Sequence, residues 1–492
     1  MDRLESFRSQ GGKLVFLGPA PFYVNAVPDE RGQRLWEQSE HLGFDRLEIL
    51  HSLEELREVR IRDSSGALSK NFIYQLREED NDGVPNRWLF ICHADREENI
   101  DMPFCDDYRI KIRGEWQVII YDTINDAYGN IESEISGGWT TVKKRLWDHD
   151  SLLYKLIPAG KAIQIKPALV SGGPDMEAAG ITLRFTEKAP VTLHEPNVLV
   201  LDMAEFALDD NAYRAKEEIL RLDNILRKEL QWPVRGSHAA QPRAEHDSST
   251  PHALRLRYTF ESETAVKGAE LALENAAAAK VTLNGEAAGA VQGWYVDECI
   301  GRVKLPQIKP GTNVLELKLP YGKNADVEAC YLLGDFSVKV QGSLCTLGAP
   351  VKSLAFGDIT HQGLPFYGGD LTYHLEADCS PPPESKAGSV IIETSSYRFM
   401  LLKAAVDGSD RGVIAYSPYR LTVDGLAAGK HSIDITGFGS RINTFGQLHN
   451  NEGNEGYLRG PNSRRTEGPA WSYEYRFRPQ GIMKSPEIYW RY

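Results

Sequence analysis

The sequence predicts a mainly β protein: tandem β-sandwich domains preceded by a small antiparallel β-domain and a short N-terminal α/β segment. Three observations carry this expectation. From about Leu68 onward, short runs of alternating apolar residues are separated by turn signals such as "NDG", "RGE" and "SGG", the pattern of half-buried strands. One stretch, about Arg214 to Leu230, shows a helical apolar face, at Ile219, Leu222, Ile225, Leu226 and Leu230. Two segments about 120 residues apart echo each other, a spacing that suits two sandwiches better than a solenoid.

In chain order, residues 1–66 alternate helix and strand: "DRLESFRSQ", "KLVFLG", "DERGQRLWEQSEHLG" and "SLEELREV". A parallel sheet needs several such units to bury its strands. This segment therefore reads as the tail of a larger α/β domain. Residues 67–160 contain "NFIYQLRE", "RWLFICHAD", "YRIKIRG", "WQVIIYDT", "GWTTVKKRLW" and "SLLYKLIP", strands of a small antiparallel domain. Residues 161–249 hold further strands, the helix, and the aperiodic run "QWPVRGSHAAQPRAEHDSSTPH", which marks a linker and a boundary near 250. The two echoing segments then define sandwiches at 250–345 and 346–492. Each echoing copy carries a turn dipeptide after its first strand, Asn284-Gly285 or Asp407-Gly408, that favours the positive φ of a tight hairpin.

Composition narrows the function classes. A chain of 492 residues holds several domains, so function can be divided among modules. Its longest apolar runs are far too short to span a bilayer, and "MDRLESFRSQGGK" lacks the apolar core of a signal peptide. A cytoplasmic location and no membrane partner are the expectation. The net charge of −13 and the lack of a basic stripe argue against nucleic acid. Six scattered cysteines (Cys92, Cys105, Cys299, Cys330, Cys345, Cys379) offer no metal-ligand spacing and no disulfide framework. No nucleotide-loop, zinc-protease or serine-hydrolase motif is present, and neither a metal nor a cofactor is expected.

The phrases "LNGEAAG" and "KPGTNVLELKL" resemble the galactose-binding-like jelly-roll modules of large glycoside hydrolases. "YLLGDFSV", "GDITHQGLPFYGGDLTYHLE", "GSRINTFGQLHN" and "EGPAW" resemble the C-terminal region of multi-domain, rhamnosidase-like bacterial glycoside hydrolases. The N-terminal segment is similar to the end of their amidotransferase-like domain. The resemblance implies jelly-roll sandwiches, a carbohydrate ligand, and catalytic carboxylates on a (β/α)8 barrel that lies N-terminal to the regions matched and finds no room in this chain.

Glycoside hydrolysis needs a pair of carboxyl groups at a defined separation. Asp297 and Glu298 in "GWYVDECIG", Asp335, Asp358 and Asp370 sit among aromatics, but no spacing specifies a pair, and Asp in such turns usually accepts backbone N–H bonds. Sugar binding needs less: an aromatic face and planar polar groups at its edge. Candidate binding residues are Trp294, Tyr295 and Asp297 in a loop of the first sandwich, His361 and Tyr367 in "HQGLPFYGGDLTYH", and Arg441, Asn443, His449, Arg465 and Trp471 in a long polar excursion after the last strand of the second. Against each stands a plain packing role, and for "HQGLPFYGG" contact between domains is as well supported as ligand contact. The reading from sequence is a non-catalytic, carbohydrate-binding or buttressing region of a glycoside hydrolase. The alternatives are a purely structural assembly module and, third, a complete glycosidase with a carboxylate pair in a sandwich cleft.

Overall fold

The computed structural model describes residues 1–81, 84–95, 99–124, 126–165, 183–185, 187–234, 249–379, 389–451 and 465–491. Two compact units divide the chain: Met1–Arg96 with Cys105–Gly172, and Glu97–Phe104 with Gly173–Tyr492.

In the first unit the α/β segment contributes one parallel strand pair, Val15–Leu17 with Glu40–Leu42, flanked by the helices Asp2–Ser9, Arg31–Glu37 and Arg46–Ser52. Its apolar side chains are poorly covered, Phe44 being 84% and Leu47 73% exposed. The strand Val59–Arg62 already belongs to the β-domain, where it pairs with Cys105–Arg113. That domain stacks a four-stranded on a five-stranded antiparallel sheet. Leu89, Ile91, Ile110, Ile112, Val118, Val142, Tyr154 and Leu156 fill the space between them. These residues alternate along their strands, so every second side chain points inward.

The second unit is the expected tandem of sandwiches, and the internal echo reappears as one strand order used twice. In the first sandwich His252–Ser262 pairs with Gly311–Tyr321, then Lys280–Leu283, then Glu286–Ala287. In the second, Leu371–Asp378 pairs with Lys430–Phe438, then Leu401–Val406, then Ser409–Ile414. Both hairpin turns take the positive φ read from their dipeptides, at Asn284-Gly285 (50° and 82°) and Asp407-Gly408 (50° and 73°). A two-residue loop with φ > 0 at both positions matches the right-handed twist of the flanking strands.

Two features differ from the sequence reading. Asn197–Leu201 and Met203–Leu208 pair with Cys330–Gly334 and His252–Ser262, so residues 197–218 share the core of the first sandwich with the strands beyond 250. The helix begins at Ile219, not Arg214: Arg214–Glu218 is an edge strand on Met203–Leu208. The switch comes at Glu218, whose carboxylate accepts from the Arg221 N–H at 3.0 Å, an N-cap that ends the strand and starts the helix.

Candidate functional site

The polar excursion of the second sandwich is a joint with the first. After Lys430–Phe438 the chain turns at Gly439, makes one helical turn at Ile442–Phe445, and returns through a strap at 465–482 to the terminal strand Glu487–Arg491. Phe366 and Leu448 lie within the core of the first sandwich, and Phe445, Tyr475 and Phe477 pack against it. Phe366 meets Tyr475 and Phe477 edge-on at 5.3 and 5.1 Å. The glycines of "YGGD" permit this approach. A Cβ on Gly368 would overlap the Thr444 hydroxyl, one on Gly369 the Glu195 side chain, and one on Gly439 the carbonyl oxygens of Gly368 and Gly369.

Polar bonds lock the apolar contact. Arg441 forks onto both oxygens of Glu195, with Nη2 to Oε2 at 2.7 Å, and its Nη1 also donates to the Tyr295 hydroxyl at 3.4 Å. Asn443, fully buried, donates to the Arg478 carbonyl at 2.8 Å and accepts from its N–H at 2.9 Å. Thr444 donates to the Phe366 carbonyl at 2.7 Å. His449 bonds the Ser472 carbonyl through Nδ1 at 2.8 Å and Asp202 through Nε2 at 3.2 Å, and Tyr475 donates to the other Asp202 oxygen at 2.5 Å. Trp471 lies half-buried with the Arg221 guanidinium 4.0 Å over its ring, while Arg221 also holds Glu217 and the Thr466 carbonyl. Arg465 is half-buried at the start of the strap. The Gly-rich middle of the excursion, 452–464, lies outside the described residues.

Behind this joint the electrostatics are unusual. Burial drives the Glu218 carboxyl up to about 7, and the neighbouring Asp202 charge adds to the rise, while the Leu220 and Arg221 N–H groups and His449 oppose it. For His449 burial acts downward, but the bond and charge of Asp202, with Glu218 beyond, outweigh it and raise its pKa above the ordinary value. Perturbed groups of this kind mark either a reactive centre or a structural ion network. Here Asp202, His449 and Tyr475 satisfy one another, so the arrangement is built to clamp.

Of the remaining candidates, Tyr295 shares the Arg441 bond of this joint and Tyr367 lies near Glu195 and Arg441, whereas Trp294, Asp297 and His361 make none of the bonds above. Trp294 lies in an edge strand, Val291–Tyr295, not a loop, and is 52% exposed, whereas Tyr295 in the same strand is buried against Tyr331 and Phe445. Asp297 accepts from the Cys299 N–H at 2.9 Å, which holds its pKa below the ordinary value. Glu298 and Asp335 are exposed. Asp358 accepts from the N–H groups of Thr360 and Gln480, at 2.9 and 3.2 Å, and Asp370 from that of Gly439 at 3.2 Å. His361 projects outward with its side chain 82% exposed, 3.7 Å from Asp358. Tyr367 is fully buried and donates to the Asp370 carbonyl at 2.7 Å.

Sequence reading missed Glu195, Asp202, Glu218 and Arg221. Asp202 carried a signal, since it ends the continuous apolar run "NVLVL", where a carboxylate is buried and must find partners.

A cleft of about 520 Å³ opens in the first sandwich, lined by Glu274, Asn275, Asn324 and Asp326 above an apolar floor that includes Leu254, Leu319 and Val327. Its far wall, the 321–327 loop, is pinned from the helix Ile219–Glu229. Arg227 pairs with Asp223 at 2.8 Å and donates to the carbonyls of Lys323 and Ala325 at 2.9 and 3.1 Å. Tyr321 donates to the other Asp223 oxygen at 2.8 Å. Among the described residues no group of three or more His, Cys, Asp or Glu could hold a metal ion, and no helix is long and apolar enough to cross a membrane.

No protein-family profile and no curated protein sequence matches the chain. Among solved structures it is similar to the rhamnosidase from Novosphingobium sp. PP1Y, at 11% identity and a TM-score of 0.36, over 99% of this chain and 32% of that one. It is similar also to the β-D-mannosidase from Dictyoglomus thermophilum, at 13% identity and a TM-score of 0.19, over 50% of this chain and 31% of that one. An anti-sigma factor domain-containing protein from Clostridium clariflavum matches at 8% identity and a TM-score of 0.15, over 48% of this chain and 90% of that one. The chain spans about a third of the length of the rhamnosidase.

Proposed function

We propose that the chain is a non-catalytic accessory region of a glycoside hydrolase, in which the tandem sandwiches form one rigid buttress for a catalytic (β/α)8 barrel domain or subunit. The family assignment rests on the sequence phrases that resemble such enzymes. The buttressing role rests on one observation above all: Arg441, Asn443 and His449, the most sugar-like cluster in the sequence, spend their hydrogen bonds on Glu195, Arg478, Asp202 and Ser472. A side chain whose donors are already satisfied inside a joint has little left for a hydroxylated ligand. The full chain is expected to turn over no aryl glycoside, and Arg441→Ala to lower its thermal stability by roughly 1–3 kcal/mol through the stranded Glu195 carboxylate. Turnover that disappears with Asp297→Asn or Glu298→Gln would sink the reading in favour of a complete glycosidase.

The cleft supports a second reading, in which the first sandwich also binds a glycan. Amide and carboxylate side chains at the rim of an apolar floor suit a hydroxylated ligand. On this reading Asp326→Ala abolishes glycan retention. Unchanged retention counts against it.

A further inference from the structure

The five-stranded sheet of the first unit has an outer face that its role as half of a β-domain does not explain. One face of an antiparallel sheet normally turns polar residues to water. Here the strand Val84–His93 places Leu89 and Ile91 in the core and turns Trp88 and Phe90 outward. Register carries the same face across the sheet: Phe90 lies opposite Leu153, Leu153 opposite Tyr121, and Tyr121 opposite Tyr128. Side chains at directly paired positions stand on one face. The rings are ordered against one another, Trp88 to Tyr121 at 5.2 Å and Tyr121 to Tyr128 at 5.4 Å and nearly parallel. Phe90 is 42% and Tyr128 49% exposed. Contiguous apolar surface of this kind marks an interaction site.

We propose that this face is a binding platform for an uncharged polysaccharide chain. Aromatic rings side by side on one sheet face, Trp88 tilted 52° to Tyr121 and Tyr121 stacked on Tyr128, offer apolar surface to the C–H faces of sugar rings. Polar groups lie at their edges: Gln75 opposite Phe90, Arg77 opposite Trp88, and Glu79, which accepts the Trp88 indole N–H at 2.9 Å and fixes that ring. The charges in the patch, Arg77 and Lys155 against Glu79, leave one net positive charge. Lys155 sits 5.1 Å over the Trp88 ring, its charge already engaged by the indole. Single-stranded nucleic acid also stacks on aromatics, but it needs a basic groove along its backbone, which neither this patch nor a chain of net charge −13 supplies. A neutral, hydroxylated polymer fits both the rings and the charge. The platform belongs to the first unit and shares no residue with the joint or the cleft of the preceding proposal.

The test is affinity electrophoresis of the full chain through gels carrying a neutral β-glucan, xylan, mannan or galactan, with alginate and oligo(dT) as charged controls. At least one neutral polymer retards the wild type. Tyr121→Ala and Tyr128→Ala weaken that retention by about tenfold, the scale of one aromatic contact, while Tyr128→Phe retains it. Tyr128 is at an exposed edge, so its variants report even where Tyr121→Ala fails to fold. No retention on any neutral polymer, or retention indifferent to both tyrosines, overturns the proposal. Binding of oligo(dT) overturns it in favour of nucleic acid. Concentration-dependent self-association lost on Tyr128→Ala overturns it in favour of an interface between copies.

Discussion

At the residue scale, Glu218 and His449 give the joint a pH dependence of definite sign. The Glu218 carboxyl has a folded pKa of about 7 against an ordinary 4.5, chiefly from burial. A raised folded pKa means that the native state holds the proton more tightly. The contribution is therefore fully present below about pH 4.5 and lost as pH rises through about 7. His449 is also raised above its ordinary 6.5, so its contribution is present below that value and lost as pH climbs past its folded pKa. The groups facing the pair, Asp202, Tyr475, Tyr258 and Cys345, carry no cation that would reverse the trend, and Arg221 acts on Glu218 through its backbone N–H. Stability of the full chain, followed as a thermal midpoint from pH 5 to pH 8, is expected to fall with rising pH. Glu218→Gln keeps an oxygen for the helix cap and removes the titration. Its slope should be shallower and its stability at pH 8 equal to or above wild type. A variant with the wild-type slope would show that Glu218 does not drive the trend.

At the scale of elements, the connection that brings the second sandwich onto the first needs glycine at three positions where a side chain would not fit. Gly368, Gly369 and Gly439 meet backbone to backbone, and a methyl group on Gly439 overlaps two carbonyl oxygens that cannot rotate away. Gly439→Ala should therefore cost about 1–3 kcal/mol, as overpacking does, and weaken the Arg441–Glu195 fork. Urea titration of the full chain measures it, and a loss below about 0.5 kcal/mol would mean that the turn relaxes without strain. The strands themselves were legible because alternation is local: "LRLRYTF" places Leu254, Leu256, Tyr258 and Phe260 inward. The boundary near 250 was not, because Asn197–Leu201 is buried at every position and so shows no period that assigns it to a sheet. The site was legible by half. Arg441, Asn443 and His449 stood out as polar residues in an aperiodic stretch, but their partners Glu195 and Asp202 lie 246 and 247 residues away, and nothing local announces such pairs.

For the molecule as a whole, the joint decides whether the second unit unfolds as two sandwiches or as one. Each sandwich has a core of its own, around Leu256 and Leu317 in the first and around Tyr373 and Ile435 in the second. Left to these, the two would melt independently. Phe366, however, belongs to the chain entering the second sandwich and is buried completely in the core of the first, with Leu448 beside it and Tyr475 and Phe477 from the strap packed on it. Unfolding the second sandwich would release the excursion and open that core, so the two transitions are coupled by apolar burial as well as by the Asp202 and Glu195 bonds. Hydrogen exchange of the full chain under rising denaturant is expected to show peptides from 254–260 and 371–377 losing protection together. Phe366→Ala removes the shared ring at a cost of about 3–5 kcal/mol and should separate the two, the first sandwich opening at lower denaturant. If the wild type already exposes the two sets of peptides at different denaturant concentrations, the sandwiches are independent modules and the single rigid buttress is wrong.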